Sequence, residues 1–360
     1  MKLQNLTRII ISSARRQTGI GNYVTDLMKY NQIKTELYSF ILNPKDNIDD
    51  YDGHKIIGKK FPTKNGWYLN VKFQKYLYKK EFDKLRALST NKNLFFHYSD
   101  YSIKNFTKRE NSCLTLHDFF GVLKKYPYKY GNFLTEREKY KKLIDFIDFP
   151  FLISDSIQTA KDAEEYGFYF KPSVIYPPLR EHIFPIKEKL NLRQKWNLPL
   201  DKKIVFSISS DDPRKNLPLI KKVASELNNK YIMVRVGSSL PNTISFQNLT
   251  YKEVNEFYNM ADVLFFPTLD EGFGYPLIEA MAIGLPIVTS DLGITREVCG
   301  DAAIFIQPDI KNSLMSIENA LNDFEILFNK GIIRSKVFSR AIFENQISSF
   351  YTKMAKEHGN

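Results

Sequence analysis

Short runs of apolar residues alternate with longer stretches of helical periodicity along most of the chain. In the first half, the apolar runs predict strands at residues 7–12, 36–42, 93–97, 112–117, 150–153 and 173–176. Helical spacing of apolar residues predicts helices at residues 20–30, 68–88, 133–147 and 156–166. This alternation is typical of a parallel sheet that is covered by helices.

The second half repeats the alternation. Its predicted strands lie at residues 203–208, 231–236, 262–266, 285–289 and 303–306. Its predicted helices lie at residues 216–228, 251–260, 275–283 and 311–328. The predicted fold class is therefore α/β, with two Rossmann-like, doubly wound parallel-sheet domains.

A proline pair separates the two halves. Pro177 and Pro178 are followed by a polar, lysine-rich stretch, and consecutive prolines cannot continue a helix or a central strand. We place an interdomain hinge at residues 178–200 and predict domains at residues 1–185 and 186–340. The last segment, residues 333–357, is predicted to be helical.

Composition places the chain among folded proteins with room for two cores. It has 360 residues, of which 43% are hydrophobic and 26% charged. Its two cysteines, Cys113 and Cys299, lie far apart, which fits buried thiols in a reducing cytoplasm. No signal peptide is evident, and no apolar run approaches the roughly 20 residues of a membrane span.

The net charge of +12 is concentrated in the first half. Residues 1–180 hold 31 Lys and Arg against 19 Asp and Glu, whereas residues 181–360 hold 21 of each. One interpretation is a solvated, lysine-rich surface. The other is a surface that faces an anionic partner, such as the inner face of a membrane or a lipid-linked phosphate. Nucleic acid is excluded as a partner, because no binding module is recognisable.

The most informative segment begins at Glu271. A Gly-rich turn, Gly272-Phe273-Gly274, follows an apolar strand and leads into a helix that begins near Tyr275, with Pro276 in its first turn. Such a turn presents backbone N–H groups and the positive end of the helix dipole, which predicts a site for a diphosphate. Glu271 at the edge of this loop and Glu279, one turn into the helix, can accept hydrogen bonds from hydroxyls on either side of that anion. This pattern indicates a nucleotide sugar.

Residues 267–303 resemble the retaining glycosyltransferases of family GT4, which have the two-domain GT-B fold. The family pattern stands here as Pro267-Thr268, Glu271 to Pro276, Glu279-Ala280-Met281-Ala282, Gly284 and Pro286. The register continues through Ser290, Arg296-Glu297-Val298 and Gly300-Asp301-Ala302-Ala303. Tyr275 departs from the usual leucine. The resemblance implies two domains that face a cleft, with a final helix, residues 341–360, that packs back on the first domain.

The resemblance assigns roles to residues of both halves. In the second half, Ser207 to Leu217 matches a loop whose lysine, here Lys215, grips the donor diphosphate, with Arg214 beside it. The usual glycine of that loop is Ser209 here, which weakens one backbone contact. Glu271 is assigned to the sugar hydroxyls and Glu279 to the ribose. Gly237, after a strand, is predicted to let the nucleotide approach the backbone closely.

In the first half, Gly19 and Gly21 form a Gly-Ile-Gly loop that the resemblance places at the cleft. Arg15 and Arg16 are either further anion-binding residues or solvated ones. His117 ends the run Leu114 to Asp118, and the family places a histidine here against the donor sugar or the charge near its anomeric carbon.

The function implied is a retaining transfer of a hexosyl group, mannosyl by analogy, from a GDP- or UDP-linked sugar to a glycan, polysaccharide or lipid-linked hydroxyl. The predicted catalytic residues are His117, Glu271, Lys215 and Arg214, with no cofactor and no metal. Glu271 is also the carboxylate that a double-displacement route would use, but the family geometry assigns it to binding. The alternative function is a non-catalytic scaffold that binds a nucleotide sugar in a glycan-assembly complex.

Overall fold

The computed structural model describes residues 7–12, 19–30, 33–39, 83, 86–88, 91, 93–100, 111–120 and 146–358. The chain forms two compact units that divide at Pro178. Of the described residues, unit 1 contains those up to Pro177 and those from Phe343 onward, and unit 2 contains Pro178–Ile342. The predicted helices at 68–88 and 133–147 and the pair Arg15 and Arg16 lie outside the described residues, apart from the ends of the two helices.

Unit 1 is built on a sheet whose described strands are all parallel, in the order β2-β1-β3-β4-β5-β6. Their bounds are β1 (Thr7–Ser12), β2 (Lys34–Ser39), β3 (Leu94–Tyr98), β4 (Ser112–Leu116), β5 (Phe151–Ser154) and β6 (Ser173–Val174). The first crossover leads from β1 to β2 on one side, and β3 follows on the other side of β1. The carboxyl ends of β3, β4 and β5 are therefore neighbours at one edge of the sheet.

Helices cover both sheets. The helices whose bounds are described are α1 (Gly19–Lys29), α2 (Ile157–Glu165), α3 (Lys189–Lys195), α4 (Leu217–Glu226), α5 (Tyr251–Met260), α6 (Tyr275–Ile283), α7 (Gly293–Cys299), α8 (Ile310–Asn322), α9 (Phe324–Ser335) and α10 (Arg340–His358).

Alternating side chains of β1 face the two cores of unit 1. Ile10 packs in a core with Leu27 of α1 and with Ile347 and Tyr351 of α10. Its neighbours on the strand point into the opposite core, as period-two alternation requires. Because both faces are buried, the three central residues Ile9, Ile10 and Ile11 are all apolar. The part of α10 that belongs to unit 1 is thus an integral element of its hydrophobic core.

Unit 2 has a second parallel sheet, in the order β12-β11-β10-β7-β8-β9. Its strands are β7 (Lys203–Ile208), β8 (Tyr231–Val236), β9 (Thr243–Phe246), β10 (Val263–Phe266), β11 (Ile287–Ser290) and β12 (Ile304–Ile306). The chain winds outward from β7 through β8 to β9, returns to β10 beside β7, and winds outward again. The direction of winding reverses between β7 and β10, and ligands of doubly wound sheets bind at such a point.

Special backbone conformations shape the two loops at this point. Asn216 adopts a left-handed conformation, with φ 56°, between a short 3₁₀ turn, Pro213–Lys215, and the start of α4. Asparagine tolerates that conformation better than most residues do. Gly274, with φ 95°, precedes α6, and Pro276 lies in the first turn, where a missing N–H breaks no helical bond.

The predicted α/β fold class with two parallel, doubly wound sheets is confirmed. Most predicted elements differ from the observed ones by one to three residues, but strand β9 and helices α3 and α7 were not predicted. The single helix predicted at 311–328 is two helices, α8 and α9, which meet at Asp323. In the part of the chain that the structure describes, no helix is both long enough and apolar enough to cross a membrane.

Candidate functional site

The loops that follow β7 and β10 bring distant residues together. The two strands pair in parallel, with Val205 opposite Val263, so their carboxyl ends lie side by side. The backbone N–H of Leu269 donates to the carbonyl of Arg214 at 2.7 Å, which fastens one loop to the other. Residues that are more than 50 positions apart in sequence thereby form one polar cluster.

Glu271 is the centre of this cluster. Its side chain is buried, and Arg214 Nη1 donates to its Oε2 at 3.0 Å. Lys215 Nζ donates to Oε1, and the Thr268 hydroxyl donates to the same oxygen at 3.0 Å. Arg214 is itself flanked by Asp212, whose Oδ2 lies 3.5 Å from its Nε. The predicted sugar-binding carboxylate and the predicted diphosphate-binding cations are therefore direct partners.

Charge pairing dominates the electrostatics of the cluster. Burial alone would raise the pKa of Glu271, but the Lys215 ammonium and the Arg214 guanidinium outweigh it and lower that pKa. Burial lowers the pKa of Lys215, and this effect outweighs that of the Glu271 carboxylate, which is the strongest of the groups that raise it. Glu271 is consequently a stable anion that fixes both cations beside the glycine loop, in positions that need little rearrangement to meet another anion.

The glycine loop itself leads into α6. Phe273 is buried, with its ring 5.7 Å from that of Phe338 and 5.6 Å from that of Tyr275, so it anchors the loop between Gly272 and Gly274. The first backbone N–H groups of a helix have no partner within it, which makes this end of α6 a suitable place for an anion.

Glu279 lies one turn further along α6 and is 3% exposed. The hydroxyl of Tyr258, on α5, donates to its Oε2 at 2.6 Å. Arg180 Nη1 lies 3.0 Å from Oε1, and the Arg180 guanidinium lies 4.2 Å from the centre of the Tyr275 ring. Burial raises the pKa of Glu279, whereas Arg180 and Tyr258 lower it, and burial prevails.

A side chain at Gly237 would clash with its neighbours. Its φ is +147°, and a Cβ there would lie 2.5 Å from the carbonyl oxygen of Ser209 and 2.6 Å from Arg235 Nη2. Arg235 is fully buried and donates to the hydroxyl and the carbonyl of Ser209, both at 3.1 Å. Arg235 thus fixes the position of Ser209, which stands where the resembling family has glycine. The Ser209 carbonyl and the Arg235 side chain fill the space beside Gly237.

His117 occupies the corresponding edge of unit 1. It follows β4, and its ring nitrogens contact residues at the ends of both neighbouring strands. Nδ1 lies 3.0 Å from Asp155 Oδ2, after β5, and Nε2 donates to the carbonyl of Ser99, after β3, at 2.9 Å. The Tyr23 ring packs edge-on against the imidazole at 4.9 Å.

Both nitrogens of His117 face acceptor oxygens. An imidazole can donate from both nitrogens only when it is doubly protonated. Burial would lower the pKa of His117, but Asp155, with contributions from Asp100 and Asp118, raises it on balance. Burial raises the pKa of Asp155 to about 6, against the opposing effect of His117. The geometry therefore favours an imidazolium held by a buried carboxylate.

The two predicted N-terminal glycines lie in the first turn of α1. Gly21 is buried, and its carbonyl accepts a hydrogen bond from Thr25 at 3.0 Å. Gly19 has open space where a Cβ would be. Tyr23, two residues further on, connects this turn to His117.

The structure groups the predicted residues within each unit. In unit 2, Arg214, Lys215 and Glu271 form one cluster, and Glu279 follows on α6. Sequence reasoning missed three residues that orient the predicted side chains. Asp155 contacts His117 in unit 1, and Tyr258 and Arg180 contact Glu279 in unit 2. Asp155 could have been found, since it lies two residues after the predicted strand 150–153. Nothing in the sequence pattern pairs Arg180 or Tyr258 with Glu279.

In the described part of the chain, no three or more His, Cys, Asp or Glu side chains are grouped so as to hold a metal ion. Metal independence of the reaction stays a prediction.

Comparison with known proteins shows similarity to glycosyltransferases over part of the chain. The family model described as glycosyl transferases group 1 matches residues 188–327. The O-antigen chain mannosyltransferase RfbU of Salmonella typhimurium is 27% identical over 191 residues, which are 48% of this chain and 54% of that protein. The match thus spans about half the length of this curated relative.

Solved structures share the fold over nearly the whole chain. Sucrose-phosphate synthase from Thermosynechococcus elongatus superposes with a TM-score of 0.77 and 16% identity, covering 97% of this chain and 98% of that one. HepE from Anabaena in complex with UDP-glucose gives a TM-score of 0.75 and 12% identity, covering 97% and 100%. The chain is therefore similar to the glycosyl transferases group 1 over residues 188–327 and has the GT-B fold, as its sequence predicted.

Proposed function

We propose that this protein is a retaining glycosyltransferase. It moves a hexosyl group from a nucleoside-diphosphate sugar to a hydroxyl of a glycan, a polysaccharide or a lipid-linked acceptor. The observation that carries the proposal is the cluster of Arg214, Lys215 and Glu271 beside the glycine loop at the point where the unit 2 sheet reverses its winding. Cations, a helix N-terminus and hydroxyl-accepting carboxylates in one place suit a sugar diphosphate.

The cations of the cluster act on the leaving group. As the bond to the anomeric carbon breaks, negative charge grows on the diphosphate and positive charge on the sugar ring. Lys215 and Arg214, with the backbone at the start of α6, stabilise the diphosphate from fixed positions. Glu271 holds these cations in place and offers its remaining lone pairs to sugar hydroxyls.

His117 is the proposed catalytic residue of unit 1. Its raised pKa favours the charged form of the imidazole, which directs one N–H at a backbone carbonyl and the other at Asp155. The Nε2–H can donate to a sugar hydroxyl or to a developing negative charge in place of the Ser99 carbonyl. Loss of turnover in His117→Ala with donor binding retained is the expected result.

The names of relatives support the choice of substrates. RfbU is named as a mannosyltransferase, which favours mannose as the transferred sugar. The HepE complex contains UDP-glucose, which supports a nucleoside-diphosphate sugar as the class of donor.

The first experiment is a thermal-shift titration with GDP, UDP and their hexose derivatives. A ligand that binds only the folded protein stabilises it by about 2.7 kcal/mol at a concentration of 100 times its Kd. We expect a shift with one of the two nucleotides, which is lost in Lys215→Ala. The matched control is Lys222→Ala, which removes an exposed cation from α4 and should bind like the wild type.

The second experiment measures transfer of the hexosyl group to mixed glycan and lipid-linked acceptors, with the anomeric configuration of the product determined by NMR. Retention is expected. No shift with any nucleoside diphosphate would refute the donor site. Donor binding without transfer to any acceptor would favour the alternative, a scaffold that binds a nucleotide sugar.

A further inference from the structure

Glu279 is a carboxylate in an unfavourable place for a charge. It is 3% exposed, and burial raises its pKa. If Glu279 binds the ribose of a nucleotide, it must accept hydrogen bonds from two hydroxyls, and an ionised carboxylate accepts with both oxygens. Protonation would turn one of these acceptors into a donor. Some group must therefore keep this side chain charged.

Two neighbours meet the carboxylate, one on each oxygen. Tyr258 donates to Oε2 at 2.6 Å but carries no charge. Arg180 Nη1 lies 3.0 Å from Oε1, and its side chain is 18% exposed, so solvent screens the attraction only weakly. Of the two, only Arg180 favours the ionised form by its charge.

The other helices that pack against α6 direct their cations elsewhere. The cations of α7 and α9 bind oxygens away from Glu279: Arg296 binds Asp291, Lys330 binds Asp301, and Arg334 binds the carbonyls of Glu297 and Val298. The charge on Glu279 consequently depends chiefly on Arg180.

Arg180 is itself held in a fixed position. Its guanidinium lies over the ring of Tyr275, 4.2 Å from the centroid, and the negative face of the ring attracts the cation. On either side of it, the Leu179 N–H donates to the carbonyl of Phe338 at 2.7 Å, and Glu181 pairs with Arg340 at 3.2 Å. Tyr275 stands where the resembling family usually has leucine, so the aromatic support for Arg180 is a feature of this chain.

We propose that Arg180 is a positioning residue for the donor, which keeps Glu279 ionised and oriented so that its carboxylate accepts the ribose hydroxyls of a nucleoside diphosphate. The inference rests on the proposed function. Arg180 acts through Glu279, and the diphosphate is bound by Lys215 and Arg214.

The test separates the ribose contact from the diphosphate contact. Binding is measured by calorimetry for GDP and UDP, for their 2′,3′-dideoxy counterparts, and for inorganic diphosphate, from about pH 5.5 to pH 8. The ratio of affinities with and without the ribose hydroxyls measures the contact between Glu279 and those hydroxyls. Protonation of the phosphates does not change this ratio, because it affects both ligands of a pair alike. The proteins are the wild type, Arg180→Met, Arg180→Lys and Glu279→Gln.

In the wild type we expect the hydroxyls to strengthen binding at every pH. In Arg180→Met this advantage should fall by about tenfold at the acidic end, since one unit of pKa shift is tenfold in the ionised fraction below the pKa. Arg180→Lys keeps the positive charge and should retain most of the affinity that the ribose hydroxyls add. Inorganic diphosphate should bind all four proteins equally.

Lys187→Met, at an exposed position of the same connecting segment, is the matched control and should behave as the wild type. If Arg180→Met does not fold, Arg180→Gln removes the charge and keeps a hydrogen-bond donor.

An unchanged hydroxyl advantage in Arg180→Met overturns the inference. Weaker binding of inorganic diphosphate by Arg180→Met also overturns it, because Arg180 would then bind the diphosphate directly through donors such as its buried Nε. Failure of the wild type to bind any diphosphate refutes the proposed function, and this inference with it.

Discussion

Arg214 Nη1 lies 3.0 Å from Glu271 Oε2, although 57 positions separate the two residues in sequence. The resemblance to GT4 glycosyltransferases predicts that the arginine binds the diphosphate and the glutamate the sugar of one ligand. In the structure each is the main partner of the other, together with Lys215. The cluster therefore contributes to the stability of unit 2 as well as to binding, and its variants need measurements of both.

Replacing Glu271 with glutamine should lower the free energy of unfolding by about 3 kcal/mol at neutral pH, because two cations lose their buried partner. The folded pKa of Glu271 is lowered, so its stabilisation is complete above the unfolded pKa and is lost as pH falls through the folded value. The difference between wild type and variant should accordingly shrink in acid. Urea unfolding at neutral pH and near pH 4 measures it.

The control for this prediction is Glu318→Gln, an exposed position on α8. It should change the free energy of unfolding by less than about 0.5 kcal/mol. If the difference in the free energy of unfolding between the wild type and Glu271→Gln does not vary with pH, the ion pairs of Glu271 contribute nothing to that difference.

The pair of His117 and Asp155 predicts the opposite dependence on pH. Both folded pKa values are raised, that of Asp155 to about 6, so the folded protein holds more protons than the unfolded chain. The contribution of the pair is complete below the unfolded values and is lost as pH rises through the folded values. Unfolding measured by urea should show stability falling between about pH 4 and pH 6, as Asp155 ionises, and falling further above about pH 6.5, as His117 loses its proton.

Asp155→Asn should weaken this dependence of stability on pH. It should also lower the pKa of His117, which NMR titration of the imidazole detects. Glu165→Gln, an exposed acid on α2, is the matched control and should leave the titration unchanged. A His117 midpoint that stays the same in Asp155→Asn would contradict the assignment of the imidazolium.

Two glycines of the candidate site predict different outcomes for the same substitution. Gly274→Ala places a Cβ 3.1 Å from Leu277 Cδ1 at a φ of +95°, which should cost about 1–3 kcal/mol of stability. Gly19→Ala meets no atom within 4 Å in the first turn of a helix, so it should be neutral or slightly stabilising. Thermal unfolding of both variants measures the contrast. If Gly19→Ala is stable but weakens donor binding, the loss reports ligand contact rather than misfolding.

Tyr351 predicts how strongly α10 is tied to unit 1. Its hydroxyl accepts from Arg8 Nη1 at 2.9 Å and lies 2.6 Å from His97 Nδ1, all of them buried. Tyr351→Phe leaves these groups without that partner and should cost about 1–3 kcal/mol, measured by urea unfolding. Lys353→Met, exposed on the same helix, should be nearly neutral. Equal losses in the two variants would mean that the buried network adds no stability.

Much of this fold could be predicted from the sequence because its strongest signals are local. Fully apolar strands such as Val263–Phe266 are recognisable, since a strand buried on both faces has no polar positions. Strand β9 was missed because Thr243–Phe246 is only four residues long, is only partly buried, and has polar residues at two of its four positions. The break between α8 and α9 was missed because apolar periodicity continues across Asp323.

By itself the sequence determined the fold class and the residues of the glycine loop, because these depend on short-range pattern and spacing. Only the tertiary structure decided how the charges pair. Parallel strands that are adjacent in the sheet but distant in the chain place Lys215 against Glu271 and His117 against Asp155, and packing of the segment after Pro178 places Arg180 against Glu279 of α6. Such partners carry no local signature, since the strand order that brings them together is set by packing of the whole sheet.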